Sequence, residues 1–259
     1  MGARRRALER KKLDKLSRRS ISARYRACAS RTAATAKTPM IDVRENYRRI
    51  LDKIQAAAER SGRTREAVKL IAVTKTVPPD RIREAAEAGI VHVGENRVQE
   101  ALPKLEELRD LPLTWHFIGH LQTNKAKKVV EHFDWIQCVD RRELAEKLNH
   151  TAAKSLPVLI EVNMGGEVTK SGIDPSHLQT FIEDLAGYER LRLSGLMTIP
   201  PFFDNPEHVR PYFRKLREVS ERFNLPELSM GMSHDFEVAV EEGATMVRIG
   251  TLLFGERHE

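Results

Sequence analysis

The sequence has too little cysteine for a covalent framework. Only Cys28 and Cys138 occur in 259 residues, which excludes a disulfide-stapled domain and a Cys-rich zinc site and fits a reducing compartment. No apolar run reaches the ~18–20 residues that a membrane-spanning helix needs. No apolar stretch follows the basic N-terminus either, as a secretory signal would require. There is no Walker-type phosphate loop and no Gly-x-Ser-x-Gly elbow. A glycine fingerprint is missing after the first strand candidate, where Val73–Thr74–Lys75–Thr76 stands, and this argues against a doubly wound open sheet.

Basic charge is present, but it is unevenly placed. The formal net charge is +7, from 44 Lys/Arg against 37 Asp/Glu. Residues 1–39 hold 13 of the basic residues and only Glu9 and Asp14 of the acidic ones, leaving 31 basic and 35 acidic residues for the rest. The arm is basic and the body mildly acidic, so a nucleic-acid-binding body with its own Lys/Arg clusters is not expected. The arm is poor in large apolar residues and reads as disordered. An organellar transit peptide and a polyanion-binding arm are the other readings of its composition. The domain is expected to span 40–259.

From Ile41 to Arg60 the apolar positions recur at helical spacing. Strand-like runs then alternate with helical ones. The strand candidates are Val68–Lys75, Val91–Asn96, Leu113–Gly119, Trp135–Asp140, Val158–Met164, Leu191–Ile199, Leu228–Ser233 and Met246–Phe254. Segments rich in Ala, Glu, Leu, Lys and Arg separate each pair. Eight strands with seven intervening helices is the count of an α/β protein built as a single (β/α)₈ TIM barrel. The additional N-terminal helix is expected to cover the flank where an eighth helix would lie.

In such a barrel the C-terminal strand ends face the active-site mouth. Those ends carry Lys75, Glu95, Asn96, His116, Asp140, Glu161, Asn163, Thr198, Ser233 and Arg248–Thr251. Lys75 ends an apolar run, where a depressed pKa would make its amine a nucleophile for carbonyls; the plain alternative is a surface lysine that stops the strand. Ser233 is placed to N-cap the helix through Phe236–Glu242. With Gly250–Thr251 it lies where barrels hold phosphate, after strands seven and eight. Arg248 is out of character in a strand. It either pairs internally with Glu161 or Glu95 or faces a ligand. His116 and His120 lack the acidic partner of a zinc helix motif, so no metal is expected.

A carbonyl-capturing lysine opposite a phosphate site describes a pyridoxal-phosphate pocket. The stretches AVTKTVP (72–78), GENRVQE (94–100), WHFIGHLQTNK (115–125), KSGI (170–173), GLMTIP (195–200), GMSHDFEVAV (231–240) and VRIGTLLFGER (247–257) together resemble the pyridoxal-phosphate homeostasis protein family. The resemblance spans 41–257 and leaves the arm outside. It implies a barrel of the alanine racemase N-terminal type with one bound pyridoxal 5'-phosphate. By resemblance, Lys75 forms the Schiff base. Ser233, Gly250 and Thr251 correspond to phosphate-binding positions, Arg248 to the arginine near the pyridine nitrogen, and Asn96 and Thr198 to the pocket wall. An arginine there leaves the ring nitrogen unprotonated and weakens carbanion stabilisation.

The resemblance thus implies a non-catalytic protein that buffers and delivers the cofactor, with apo forms of pyridoxal-phosphate enzymes as its partners. An amino-acid racemase is the alternative. Racemases of this fold add a β-rich domain supplying an opposing acid/base. Here the chain ends four residues after Gly255, and Tyr25, Tyr47, Tyr188 and Tyr212 all lie outside the strand ends. A Schiff-base aldolase without cofactor and nucleic-acid binding through the arm are further readings. A cytoplasmic monomer or weak dimer is expected, with no membrane partner.

Overall fold

The computed structural model describes residues 42–167 and 171–256. The arm 1–39 and Lys170 of the KSGI stretch lie outside the described residues. Eight parallel strands close into a barrel in sequence order. They are β1 (Lys69–Val73), β2 (His92–Glu95), β3 (Thr114–Phe117), β4 (Trp135–Val139), β5 (Leu156–Glu161), β6 (Leu191–Met197), β7 (Glu227–Met232) and β8 (Met246–Ile249). Closure is direct: Ile71 of β1 pairs with His92 of β2 on one side and Arg248 of β8 on the other. Strand interiors read as apolar runs because both faces are covered, by barrel filling inside and helices outside.

The N-terminal helix is α1 (Val43–Arg60). Asp42 caps it by accepting from the Glu45 N–H at 3.1 Å. Its buried stripe of Val43, Ile50, Ile54, Ala57 and Ala58 faces the barrel. The connecting helices are α2 (Pro79–Glu87), α3 (Val98–Glu107), α4 (Ala126–His132), α5 (Arg142–Thr151), α6 (Leu178–Leu185), α7 (Arg210–Arg222) and α8 (Phe236–Glu241). A single turn, α9 (Thr251–Phe254), follows β8. Helix α1 packs against α2, α8 and α9, and so covers the seam between the last and first strands, as its position in the sequence led us to expect. Asn46 Nδ2 donates to the Leu253 carbonyl at 3.1 Å, and Lys53 pairs with Glu237 at 2.8 Å.

Two of the expected boundaries are corrected. The run Met246–Phe254 is not one strand: β8 stops at Ile249 and the chain turns at Gly250 into α9, because Leu253 is buried against α1 rather than in the sheet. Lys75 does not end β1, which stops at Val73; it sits in the turn that follows. Among the described residues no helix is long and apolar enough to cross a membrane.

Candidate functional site

The Lys75 turn is built on a buried polar anchor. Thr74 donates its N–H to the Gly94 carbonyl at 3.0 Å and its hydroxyl to Glu95 Oε1 at 2.8 Å. Lys104, from α3, donates to both the Thr74 carbonyl (2.7 Å) and Glu95 Oε1 (2.8 Å). Glu95 is therefore committed to Lys104 and not to Arg248. Immediately after Lys75, Thr76 has φ 62°, a left-handed conformation costly for a β-branched residue, about 1–3 kcal/mol. The strain is tolerated because Thr74, two residues earlier, is pinned and its carbonyl accepts the Val77 N–H at 3.0 Å, which fixes the path of the chain around Lys75. Asn96 follows β2, and its Oδ1 is buried with no hydrogen-bond partner among the described residues. A Cβ at Gly119 would stand 2.3 Å from the Asn96 carbonyl oxygen, so only glycine lets the β3 exit pass this close.

On the opposite side, β7 leaves through Gly231, at φ +90°, where a Cβ would lie 2.5 Å from that of Ala239. This brings α8 against the strand end and turns the chain through Ser233. Ser233 is not the N-cap expected from sequence. Asp235 takes that position and accepts from the Met232 N–H at 2.6 Å, which closes the turn. The Ser233 hydroxyl instead faces α9, with the Leu252 N–H at 3.5 Å. The first N–H groups of α9 have no carbonyl a turn earlier in the helix to donate to, so this turn presents donors around Ser233 and Thr251.

Arg248 is 4% exposed. Neither of the two internal ion pairs considered for it forms. Its Nη1 donates to the Ser229 carbonyl (2.8 Å) and hydroxyl (2.6 Å), and its Nη2 to the Thr198 carbonyl (2.8 Å). Burial pushes the guanidinium down to about 10, opposed by the charges of Asp235 and Glu161, so it is cationic at neutral pH. Glu161, at the end of β5, is pushed up to about 7 by burial and by Asp140, with Arg248 opposing. The Asp235 carboxyl is raised by burial, against the Met232 N–H bond and Arg248.

Six of the seven sequence-derived site residues line one cavity of about 240 Å³: Lys75, Asn96, Ser233, Arg248, Gly250 and Thr251. Thr198 does not line it. It is fully buried, with its hydroxyl on the Val162 carbonyl at 2.8 Å, and its carbonyl carries Arg248. His116 is also absent from the mouth, being fully buried inside the barrel. Sequence reasoning missed Val73, Ile118, Ile199, Met232 and His234 as wall residues. The signal for Ile199 and Met232 is that each adjoins an expected site residue, Thr198 and Ser233. His234 Nε2 donates to the Phe203 and Asp204 carbonyls at 3.0 and 3.1 Å. A neighbouring cavity of about 300 Å³ shares Val73 and Gly250 but includes neither Lys75, Ser233 nor Arg248, so the reactive groups belong to the smaller one. No carboxylate lines the smaller cavity while Lys75 and Arg248 do. With two cations and the apolar side chains of Val73, Ile118, Ile199 and Met232 in its wall, it suits a small anionic ligand with an apolar part.

Residues 45–258 match the family described as alanine racemase, N-terminal domain. The chain belongs to that family. Within it, the chain is 53% identical over 222 residues to the pyridoxal phosphate homeostasis protein of Aquifex aeolicus, covering 82% of this chain and 97% of that one. The protein of the same name from Escherichia coli K12 is 43% identical over 232 residues, covering 84% and 98%. Among solved structures, PipY of Synechococcus elongatus PCC7942 with PLP bound superposes with a TM-score of 0.73 at 40% identity, covering 82% of this chain and all of that one. The barrel of the alanine racemase type expected from the motifs is thus the observed fold.

Proposed function

We propose that this protein binds pyridoxal 5'-phosphate at the barrel mouth, holds it through Lys75 and releases it to apo forms of enzymes that need it, without turning over amino acids itself. The observation that carries this is the cavity lined by Lys75 and Arg248 with no carboxylate. It is supported by relatives named pyridoxal phosphate homeostasis proteins and by a structural neighbour with PLP bound.

The residues present fit the group. Ser233, Thr251 and the backbone around Gly250 would hold the phosphate. Ile118, Ile199 and Met232 would flank the ring, and Asn96, whose buried Oδ1 has no partner among the described residues, would take a ring substituent. When bound, the cofactor supplies an aldehyde that condenses with an amine and a ring that withdraws electrons when its nitrogen is protonated. Lys75 supplies the amine. Arg248, cationic up to about 10, has donors only and would face an unprotonated ring nitrogen. That withdraws the electron sink amino-acid chemistry depends on, while imine exchange needs none. Turnover as a racemase would also require an acid/base group across the ring. Tyr47, Tyr188 and Tyr212 are not in the cavity wall; they pack partly buried against the core.

Borohydride reduction of the cofactor-loaded protein followed by peptide mass spectrometry should find the adduct on Lys75 alone. Lys75→Ala should abolish both the adduct and the visible absorbance. An adduct on another lysine, or a colourless protein, overturns the assignment. Ser233→Ala should weaken retention by about 1–2 kcal/mol, the scale of a hydrogen bond to a charged group, read as the dissociation constant. An unchanged constant removes Ser233 from the phosphate site.

A further inference from the structure

Barrel interiors of this fold are normally filled by branched apolar side chains. Here a line of polar groups crosses the interior, and every link has hydrogen-bond geometry. Arg248 Nη1 meets Ser229 Oγ at 2.6 Å, Ser229 Oγ meets Gln137 Oε1 at 2.7 Å, Gln137 Nε2 meets His116 Nδ1 at 2.9 Å, and His116 Nε2 meets His92 Nδ1 at 3.1 Å. Strands β8, β7, β4, β3 and β2 each contribute one member. Ser229, Gln137 and His116 are fully buried.

The direction of every link follows from chemistry. A guanidinium can only donate, so Ser229 accepts from Arg248 and gives its own proton to Gln137 Oε1. The amide of Gln137 is not free to turn over, because its nitrogen also lies 3.4 Å from the sulfur of Met246, a group that only accepts. The amide therefore donates to His116 Nδ1. His116 must then carry its single proton on Nε2 and donate to His92 Nδ1. Its ring is held in place by stacking on Trp135, with centroids 5.7 Å apart and planes 18° apart. With both nitrogens engaged and burial holding its pKa at about 3, His116 is neutral. His92 opens β2, where the charges acting on it are Lys69, Glu227 and Asp134.

We infer that Ser229, Gln137, His116 and His92 form a one-way hydrogen-bond relay through the barrel interior that fixes the guanidinium of Arg248 in the wall of the cavity. A buried polar line of this kind is no more stabilising than an apolar filling of the same volume. What it adds is orientation. Two carbonyls alone would leave the guanidinium plane free to rock, and the Ser229 hydroxyl, itself locked by Gln137, removes that freedom. Ser229, Gln137 and His116 are thus positioning residues for the group that would face the cofactor ring. That last role rests on the function proposed above; the relay does not.

The test uses the full-length protein, first without cofactor. Nitrogen-15 NMR of the histidines should show His116 protonated at Nε2 and bare at Nδ1 across the neutral range. Its opposite tautomer or its imidazolium overturns the relay. The Nη protons of Arg248 should be resolved and slow to exchange, and Ser229→Ala should speed that exchange about tenfold. Gln137→Glu, which offers an acceptor to His116 Nδ1, should flip the His116 tautomer as well. Folding of each variant is checked by circular dichroism, and Ser229→Ala, which removes one oxygen, decides the matter if Gln137→Glu does not fold. Arg248 exchange unchanged in Ser229→Ala overturns the inference. The same proteins are then loaded with pyridoxal phosphate, and the visible band of Ser229→Ala should shift and its dissociation constant rise. A normal band in that variant, with the wild type loaded, removes the positioning role. A wild type that takes no cofactor overturns the proposed function and leaves the relay to the NMR result.

Discussion

Arg248→Met is expected to lower the unfolding free energy by about 3–5 kcal/mol, the usual cost of removing one partner from a buried charged network. The substitution strips the Arg248 donor from the Thr198 carbonyl, the Ser229 hydroxyl and the Ser229 carbonyl, of which the last keeps the Thr198 N–H at 3.2 Å, and a buried acceptor that loses its donor is costly. It also removes the positive charge that offsets the desolvation of Asp235 and Glu161. Urea titration at neutral pH measures this directly. A loss below about 1 kcal/mol would mean that the network does not anchor the barrel mouth. A carboxylate at position 248 would fare worse. It would confront the Ser229 and Thr198 carbonyl oxygens together with Asp235 and Glu161, so Arg248→Glu should fail to fold.

Glu161→Gln should make the protein more stable, and only at higher pH. The folded-state carboxyl titrates at about 7, raised by burial and Asp140 from an ordinary 4.5. The folded state therefore holds the proton more tightly than the unfolded chain does, and this group's ionisation erodes stability as pH rises from about 4.5 through 7. The gap corresponds to about 3 kcal/mol once both states are ionised. Glutamine cannot ionise, so the variant should match the wild type near pH 4.5 and exceed it by up to about 3 kcal/mol at pH 8. Parallel curves of unfolding free energy against pH for the two proteins would show that Glu161 is not desolvated in the way described.

The fold was legible because eight strand-like runs alternate with seven helix-forming segments, the count of a barrel, and because no glycine fingerprint follows the first run, as an open doubly wound sheet would show. The candidate site was legible in two steps: strand ends converge in a closed barrel, which gathers the polar residues at those ends, and the motif resemblance selected Lys75, Asn96, Ser233, Arg248 and Gly250–Thr251 from that ring. What was not legible depended on packing across the sequence. Leu252–Leu253–Phe254 reads as more strand, yet Leu253 turns onto a helix some two hundred residues earlier. Thr198 corresponds by resemblance to a pocket-wall position, whereas in the structure its carbonyl holds Arg248, and sequence does not distinguish a residue's carbonyl from its side chain. Glu95 and Lys104 join a strand to a helix, and no spacing rule selects Lys104 over other lysines. The relay of Ser229, Gln137 and His116 was hidden for the plainest reason: three polar residues on three strands meet only inside a closed sheet.

The way α1 lies over the seam between β8 and β1 has a consequence for synthesis. As the polypeptide leaves the ribosome, α1 and β1 emerge first, but the edge of β1 that β8 will occupy, and the surfaces of α8 and α9 on which α1 settles, are made last. Until Phe254 has cleared the exit tunnel, the nascent chain carries an unpaired strand edge and an amphipathic helix with much of its apolar stripe in water, the two features that most invite aggregation. Completion of the barrel therefore waits on the last elements made, and a chaperone that shields residues 43–73, the first helix and strand, would act at the moment when the chain has greatest need of it.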